Sequence, residues 1–417
     1  MQDTPADIKA FLVAERPRQT AFLAELVKVP SDNPPGDCRR HAERAAALLE
    51  PLGLAVERHP VPDELARAQG MASVANLVVR HRFGDGRVVA LNAHGDAVPP
   101  GRGWQRDPYG GEIDGGCMYG RGVAVSKSDF ATYTWALLAL RTAGLPLGGT
   151  VELHFTYDES AGGELGPRWL LEQGIVRPDL AIGAGFAYSV VTAHNGCLHL
   201  EVEVRGRAAH AARPTSGADA LEAATGILTE LYAHRRGYVG RLSKTPGIGA
   251  PQLNVGLIAG GINTNVVPDR ITFRLDRRMI PEEGPEAVEA ELRELIERTA
   301  SRYKRIETEV RRIMLAVPLT PLPGSAGLAD LICRHASLVT GDLVEPEGVP
   351  LYTDARHYAA AGVPTVLYGA GPRTLEEANA NGPDERLVLD DLYKATEVVT
   401  RALLDLLAPP AQDASSR

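Results

Sequence analysis

Apolar runs alternate with Ala- and Leu-rich amphipathic stretches through the first half of the chain. The apolar runs with β-forming residues are Val74–Arg80, Val88–Ala93 and Val151–Tyr157. Helices are predicted over residues 39–52 and 126–140, and Gly144 provides the end signal of the second. The glycines between the first two runs predict a hairpin. The overall order predicts an α/β fold with a mostly parallel sheet flanked by helices.

The middle of the chain has a different pattern. Leu198–Val204 alternates apolar and polar residues, as a half-exposed strand does, and an amphipathic helix follows. Two further strands, a second helix and a last strand complete the order β-α-β-β-α-β, which is typical of a ferredoxin-like unit. We therefore expect an inserted α+β lid domain over residues 197–314. Residues 1–196 and 315–417 should form the main α/β domain.

Composition limits the classes of function. A chain of 417 residues with a formal charge of −9 and no basic run argues against nucleic-acid or anionic-membrane partners. No secretory signal or membrane-length apolar run is visible, so a cytoplasmic location is expected. The cysteines are scattered and argue against a disulfide framework or a zinc knuckle; they are Cys38, Cys117, Cys197 and Cys333.

Several short polar motifs follow predicted strands. His94-x-Asp96 and Asp158-Glu159-x-x-Gly-Gly are two of them, and Gly120-Arg-Gly lies between them. Further positions that carry the pattern are His210, Asn265, Arg278 and Arg356. Taken in this order and spacing, the chain resembles the family of zinc aminoacylases, acetylornithine deacetylases, succinyl-diaminopimelate desuccinylases and carboxypeptidase G.

The resemblance implies a site of known design. In such enzymes a carboxylate bridges two zinc ions and a glutamate activates a bound water. Carried over to this chain, Glu159 takes the general-base position, His94 a zinc-ligand position, Asp96 its orienting carboxylate and His210 the oxyanion position. Side chains expected to bind a substrate carboxylate are Asn265, Arg278 and Arg356. The resemblance also implies a homodimer formed through the lid.

The metal ligands are where this chain departs from the family. The bridging carboxylate falls on Val125, and the remaining ligand positions fall on Ser160, Ala184 and Asn381. His94 alone cannot hold zinc, which takes about four donors. We therefore expect a degenerate metal site that needs no cofactor. The joint loss of several carboxylates fits a site remodelled to stand without the charge of two ions.

Neighbouring polar residues have simpler interpretations. Ser126 and Asp129 are expected to cap the helix that they begin. Lys127 is expected to be a surface lysine; the alternative is that it fills the emptied metal pocket with positive charge.

Three functions remain open. The first is an amidohydrolase or peptidase-type enzyme that acts on a small N-acyl amino acid or peptide-like substrate with a carboxylate. Its chemistry would be metal-independent: activated amide hydrolysis, acyl transfer or proton transfer. The second is a non-catalytic protein that binds the ligand. The third is ordinary metal-dependent hydrolysis through other ligands, such as Asp129 or Asp354. The retained substrate-facing groups favour an enzyme.

Overall fold

The computed structural model describes residues 5–409 of the chain. The expectation that no secretory signal is present rests partly on residues 1–4, which lie outside the described residues. Contacts divide the chain into two compact units. The large unit holds the residues up to Thr192, Pro321–Glu347 and the segment from Thr353 onward. The lid unit holds Ala193–Thr320 and Gly348–Tyr352. The lid therefore begins four residues before the predicted 197–314 insert, ends six residues after it, and gains a short second segment.

The elements follow one another in this order along the chain. The helices are α1 (Ala6–Val27), α2 (Arg39–Leu49), α3 (Asp63–Ala68), α4 (Ser128–Ala143), α5 (Pro167–Glu172), α6 (Ala220–Arg236), α7 (Pro285–Ala300), α8 (Ser325–Thr340), α9 (Ala355–Ala360) and α10 (Leu389–Leu407). The strands are β1 (Val56–Pro60), β2 (Ala75–Arg82), β3 (Val88–His94), β4 (Glu112–Asp114), β5 (Cys117–Tyr119), β6 (Thr150–Thr156), β7 (Leu180–Gly183), β8 (Val190–His194), β9 (Gly196–Arg205), β10 (Ala209–His210), β11 (Gln252–Gly260), β12 (Val266–Val267), β13 (Arg270–Met279), β14 (Glu307–Ala316), β15 (Pro346–Val349), β16 (Thr365–Leu367) and β17 (Arg386–Val388).

The large unit is built on an eight-stranded sheet in the order β1-β2-β6-β3-β7-β16-β8-β15. Its central strands β6, β3, β7 and β16 run parallel, whereas β1, β2 and β8 pair antiparallel with their neighbours. This arrangement confirms the α/β fold with a large sheet flanked by helices. The carboxyl ends of the central parallel strands meet at one edge of the sheet, where polar loops can converge.

The predicted hairpin between β2 and β3 is wrong. Strand β6 lies between them, pairing antiparallel with β2 and parallel with β3. Both strands are almost fully buried along their length, so each can take a neighbour on either side. The glycines between the two apolar runs therefore indicate a turn but do not show that the two strands pair with each other.

The lid unit has a four-stranded antiparallel sheet in the order β11-β13-β9-β14. Together with α6 and α7, this is the ferredoxin-like order that the sequence predicts. The apolar residues of β9 alternate along the strand and pack into one core with both helices; they are Leu198, Leu200, Val202 and Val204. The opposite face of the same strand carries polar residues that include Cys197 and His199.

Among the helices that the structure describes, none is long and apolar enough to span a bilayer.

Candidate active site

His94 is the last residue of β3, at the carboxyl edge of the parallel strands. Its Nδ1 lies 3.0 Å from the backbone oxygen of Asp96 and 3.4 Å from Asp96 Oδ1. Its Nε2 lies 3.9 Å from Glu159 Oε2. Gly95 permits this tight turn, because a Cβ there would come within 2.4 Å of the Tyr157 ring. The structure thus brings His94, Asp96 and Glu159 together.

Asp96 orients more than the histidine. It is fully buried and accepts hydrogen bonds from the backbone N–H groups of Glu159 (3.2 Å) and Ser160 (3.0 Å). The amide of Asn33 donates a third, at 3.3 Å. Burial raises the pKa of Asp96, but these hydrogen bonds and His94 lower it below its ordinary value. One carboxylate therefore fixes both the imidazole and the turn that carries Glu159.

The charge state of His94 follows from these neighbours. Burial lowers the pKa of His94, whereas the carboxylates of Glu159 and Asp96 raise it, to about 10 overall. In the described structure the imidazole is therefore a cation placed between two carboxylates. A group of this kind can hold a negative oxygen or exchange a proton with Glu159.

Two further carboxylates lie in the same region: Asp354, which the sequence offered only as an alternative metal ligand, and Asp158, which it gave no role. Burial and the charge of Glu159 raise the pKa of Asp354 to about 7, and burial with the charge of Asp354 raises that of Asp158 well above its ordinary value. Asp354 accepts a hydrogen bond from Thr156 at 3.3 Å. Gly163 fits against it, since a Cβ there would lie 2.2 Å from Asp354 Oδ1. For Asp158, the signal available in the sequence was its position beside Glu159, directly after a buried strand.

Arg356 was predicted to bind substrate, and the structure places it in α9, almost fully buried. Its guanidinium donates to the backbone oxygen of Gly162 and lies 2.6 Å from His357 Nε2. Glu164 is 3.8 Å away. Arg356 therefore braces the glycine turn that follows Glu159, and its role toward substrate stays a prediction.

The four positions at which the family's metal ligands are replaced lie in different surroundings. Val125 and Ala184 are partly buried and pack against the apolar core of the large unit. The backbone N–H of Ser160 bonds Asp96, and Asn381 is exposed on a loop with a positive φ of 61°. None of these side chains supplies a carboxylate or an imidazole.

The expected caps of α4 are wrong, because the helix has no side-chain cap bond. The Ser126 hydroxyl instead exchanges hydrogen bonds with the backbone N–H and C=O of His94, both at 3.0 Å. Asp129 accepts from the backbone N–H groups of Ala370 (2.7 Å) and Gly185 (3.3 Å), and burial raises its pKa to about 7. Both side chains hold loops at the sheet edge rather than the helix end.

Lys127 is fully buried, not at the surface. Its Nζ donates to the backbone oxygen of Arg121 at 3.4 Å, and burial lowers its pKa to about 8. The Arg121 guanidinium forms a buried ion pair with Glu385 at 2.6 Å. Arg121 also donates to the backbone oxygens of Asn381 (3.2 Å) and Gly382 (3.0 Å). The Gly-Arg-Gly motif therefore holds the loop that carries Asn381.

The lid unit carries the other predicted site residues. His210 and Asn265 are exposed and adjacent, since β10 pairs with β12 and the Ala211 N–H donates to the Asn265 oxygen. Arg278 lies eight residues beyond Arg270 on β13, about 27 Å along an extended strand. The lid therefore brings His210 and Asn265 together and places Arg278 near its other end.

The described residues of the large unit do not form the family's two-ion donor set. The group of three metal-type donors found within residues 5–409 lies in the lid, at Cys197, His199 and Asp276. Around His94 the donors are one imidazole and carboxylates that raise each other's pKa values. This chemistry suits a single divalent cation, because such an ion would relieve their repulsion.

Comparison with known proteins identifies the family. A model described as peptidase family M20/M25/M40 matches residues 90–405. The chain belongs to this family. An acetylornithine deacetylase from Myxococcus xanthus is 30% identical over 364 residues, which cover 86% of this chain and 90% of that protein. The family resemblance read from the sequence motifs is therefore confirmed.

Solved M20 structures share the fold. A metallo-carboxypeptidase from Sulfolobus solfataricus matches with a TM-score of 0.75 and 18% identity, covering 92% of this chain and 98% of that one. A dinuclear metal-binding peptidase from Bacillus subtilis matches with a TM-score of 0.66 and 17% identity, covering 96% and 99%. The likeness extends over nearly the whole of each chain.

The expectation that no cofactor is needed is wrong. The M20 relatives just described include a metallo-carboxypeptidase and a dinuclear metal-binding peptidase, and they point to metal cofactors. The sequence argument counted donors only at the aligned ligand positions. It kept Asp354 only as an alternative ligand and gave Asp158 no role, although Asp354 interacts electrostatically with both Glu159 and Asp158.

Proposed function

We propose that this M20 hydrolase cleaves the amide bond of a small N-acyl amino acid or peptide-like substrate that carries a carboxylate. The observation that carries the proposal is the His94–Asp96–Glu159 group. Asp96 holds both partners through the imidazole and two backbone N–H groups, and His94 Nε2 lies 3.9 Å from Glu159 Oε2. A carboxylate held in this way can serve as a general base.

Glu159 is suited to move the proton. Its side chain is only 17% exposed, and its Oε2 lies 3.9 Å from His94 Nε2. In the proposed reaction Glu159 takes a proton from the attacking water and returns it to the leaving amine. His94 keeps the carboxylate aimed, and Asp96 keeps His94 aimed. General acid–base catalysis of this kind contributes about 10²- to 10⁴-fold to a rate.

We include a metal ion in the proposal because relatives of this chain bind metals. His94 in its neutral form and Asp354 would hold one divalent cation, so binding would release the imidazole proton and leave Glu159 as the base. When bound, the cation would polarise the substrate carbonyl and acidify water. Because zinc sites usually have three or four protein donors, two donors imply weak binding and loss of the ion during dialysis.

Substrate recognition is proposed for the lid and α9. His210 and Asn265 are exposed and adjacent. His210 Nδ1 accepts from the Ala212 N–H at 3.1 Å, so Nε2 is the ring atom offered to a ligand. Arginines suit a carboxylate because they bind it in a bidentate manner. Arg278 is half-buried and Arg356 is buried, and each already has a protein partner. Pairing through the lid also stays a proposal, supported by Leu257 and Ile258, which are exposed on the edge strand β11.

Turnover of N-acyl amino acids by Glu159→Gln and wild type tests this function. The assay uses a panel of N-acyl amino acids and the same compounds as methyl esters, with chelator or with added Zn²⁺ or Mn²⁺. We expect turnover of the free acids that requires added metal and falls at least about 10²-fold in Glu159→Gln. Glu172→Gln, at the exposed end of α5, is the matched control for loss of a carboxylate.

Other outcomes select the alternatives. Equal turnover in wild type and Glu159→Gln would reject Glu159 as the base. Turnover unaffected by chelator would reject the metal ion. Tight binding of panel members without turnover under any condition would favour a non-catalytic binding protein.

A further inference from the structure

The polar face of the lid sheet gathers three metal-type donors that the proposed reaction does not use. Cys197 and His199 are two residues apart on β9, so both side chains lie on the same face of the strand. Asp276 on β13 is directly opposite His199 in the antiparallel register. Residues opposite each other in a sheet share a face, so the backbone itself brings the three together.

The spacing of these donors matches a tetrahedral ion. His199 Nε2 lies 3.2 Å from Asp276 Oδ2, and Cys197 Sγ lies 3.6 Å from Asp276 Oδ1. Zn–N and Zn–O bonds of about 2.1 Å and a Zn–S bond of about 2.3 Å give tetrahedral edges of about 3.4 Å between nitrogen and oxygen and about 3.6 Å to sulfur. The two measured distances end on different oxygens of Asp276, so one of these oxygens would have to serve as the ligand. The three donor atoms all lie within 4.8 Å of one another. An ion would therefore have to draw sulfur and nitrogen together by at most about 1.2 Å.

The carboxylate of Asp276 already pairs with the guanidinium of Arg278, and an ion would have to share it. Arg278 Nε is 2.9 Å from Asp276 Oδ1, and its Nη2 is 3.0 Å from Oδ2. A carboxylate has about four lone-pair sites, so Arg278 leaves room for an ion. His199 and Asp276 are about one-third exposed and give a route from solvent.

We propose that Cys197, His199 and Asp276 form a second metal site in the lid, which binds a borderline-soft divalent cation such as Zn²⁺ or Co²⁺. The mixture of thiolate, imidazole and carboxylate donors selects this class over Mg²⁺ and Ca²⁺, which prefer oxygen. On binding, the thiol of Cys197 and any protonated His199 release their protons to solvent, and three protein bonds to the ion form. A water completes the fourth position.

Cobalt absorption tests the site because a thiolate-to-cobalt charge-transfer band requires a bound cysteine. The full-length protein is treated with chelator, dialysed and titrated with Co²⁺. We expect the band at about one Co²⁺ per chain in wild type and its loss in Cys197→Ser. The half-exposed Cys117→Ser is the matched control and should keep the band.

Two further variants keep the test sharp if Cys197→Ser folds poorly. His199→Ala, at a half-exposed position, should lower Co²⁺ affinity by more than about tenfold. His94→Ala should leave the band unchanged, which separates this site from the ion of the proposed reaction. A second readout is the unfolding midpoint measured in the His94→Ala background, which Zn²⁺ should raise when Cys197 is present but not after Cys197→Ser.

The proposal is overturned if wild type shows no thiolate band, or if the band persists in Cys197→Ser. Either result would mean that these side chains form a hydrogen-bonded cluster only. The outcome does not depend on hydrolysis, since no readout uses turnover.

Discussion

The large unit and the lid each place a histidine beside an aspartate, but in opposite surroundings. His94 and Asp96 are buried, and Asp96 is also held by backbone N–H groups. His199 and Asp276 lie on a sheet face, about one-third exposed, beside an arginine. Removing one member of a buried charge pair costs much free energy, because the remaining charge is left uncompensated. On an exposed face, solvent compensates the remaining charge. The same pair of residue types should therefore respond very differently to mutation.

Breaking an ion pair in each unit gives the largest expected contrast. Arg121–Glu385 is fully buried at 2.6 Å, whereas Arg274–Glu201 on the lid face is 2.7 Å long with Arg274 about half-exposed. We expect Arg121→Ala to lower the free energy of unfolding by about 3–5 kcal/mol. Arg274→Ala should lower it by about 1 kcal/mol or less. Urea unfolding monitored by circular dichroism measures both, and equal losses would contradict the comparison.

The buried lysine beneath the site predicts a pH dependence. Burial lowers the pKa of Lys127 to about 8, so between pH 8 and about 10.5 the unfolded chain binds more protons than the folded one. The contribution of Lys127 to the free energy of unfolding therefore rises with pH over this range, by about 3 kcal/mol in total. Urea unfolding at pH 8, 9 and 10 should show that Lys127→Met removes this rise. The exposed Lys28→Met is the control, and a flat difference between Lys127→Met and wild type would reject the assignment.

Replacing each aspartate by asparagine gives the smallest contrast. Asp96→Asn should cost about 2 kcal/mol, because the buried His94 cation loses one of its two partners. Asp276→Asn in metal-free protein should cost about 1 kcal/mol or less. NMR titration of His94 supplies a direct check, since its pKa should fall from about 10 in Asp96→Asn. An unchanged His94 pKa would mean that Glu159 alone sets it.

Local patterns predicted the elements well where periodicity decides them. The end of α4 at Gly144, which has a φ of 58°, and the order of the lid elements both follow from the sequence. Pairing was harder, because β2 and β3 are buried on both faces and accept β6 between them. No local pattern marks which strand takes the central place.

The site was predicted in part. His94, Asp96 and Glu159 come together as their motifs indicate, since the neighbouring parallel strands β3 and β6 end beside each other. The role of Ser126 toward the His94 backbone and the burial of Lys127 depend on an irregular turn over Val123–Lys127, which has no periodicity to read. Cys197, His199 and Asp276 were missed for a different reason, because their proximity appears only once the strand register is known.

The fit of Gly163 against Asp354 has a consequence for altering substrate range. Any side chain at Gly163 would strike the Asp354 carboxylate, since a Cβ there would be 2.2 Å from it at a φ of 69°. A mutational library should keep this glycine fixed. Substitutions are better placed at Ser160, Ala184 and Asn381, which lie in three different loops of the large unit and are at least partly exposed.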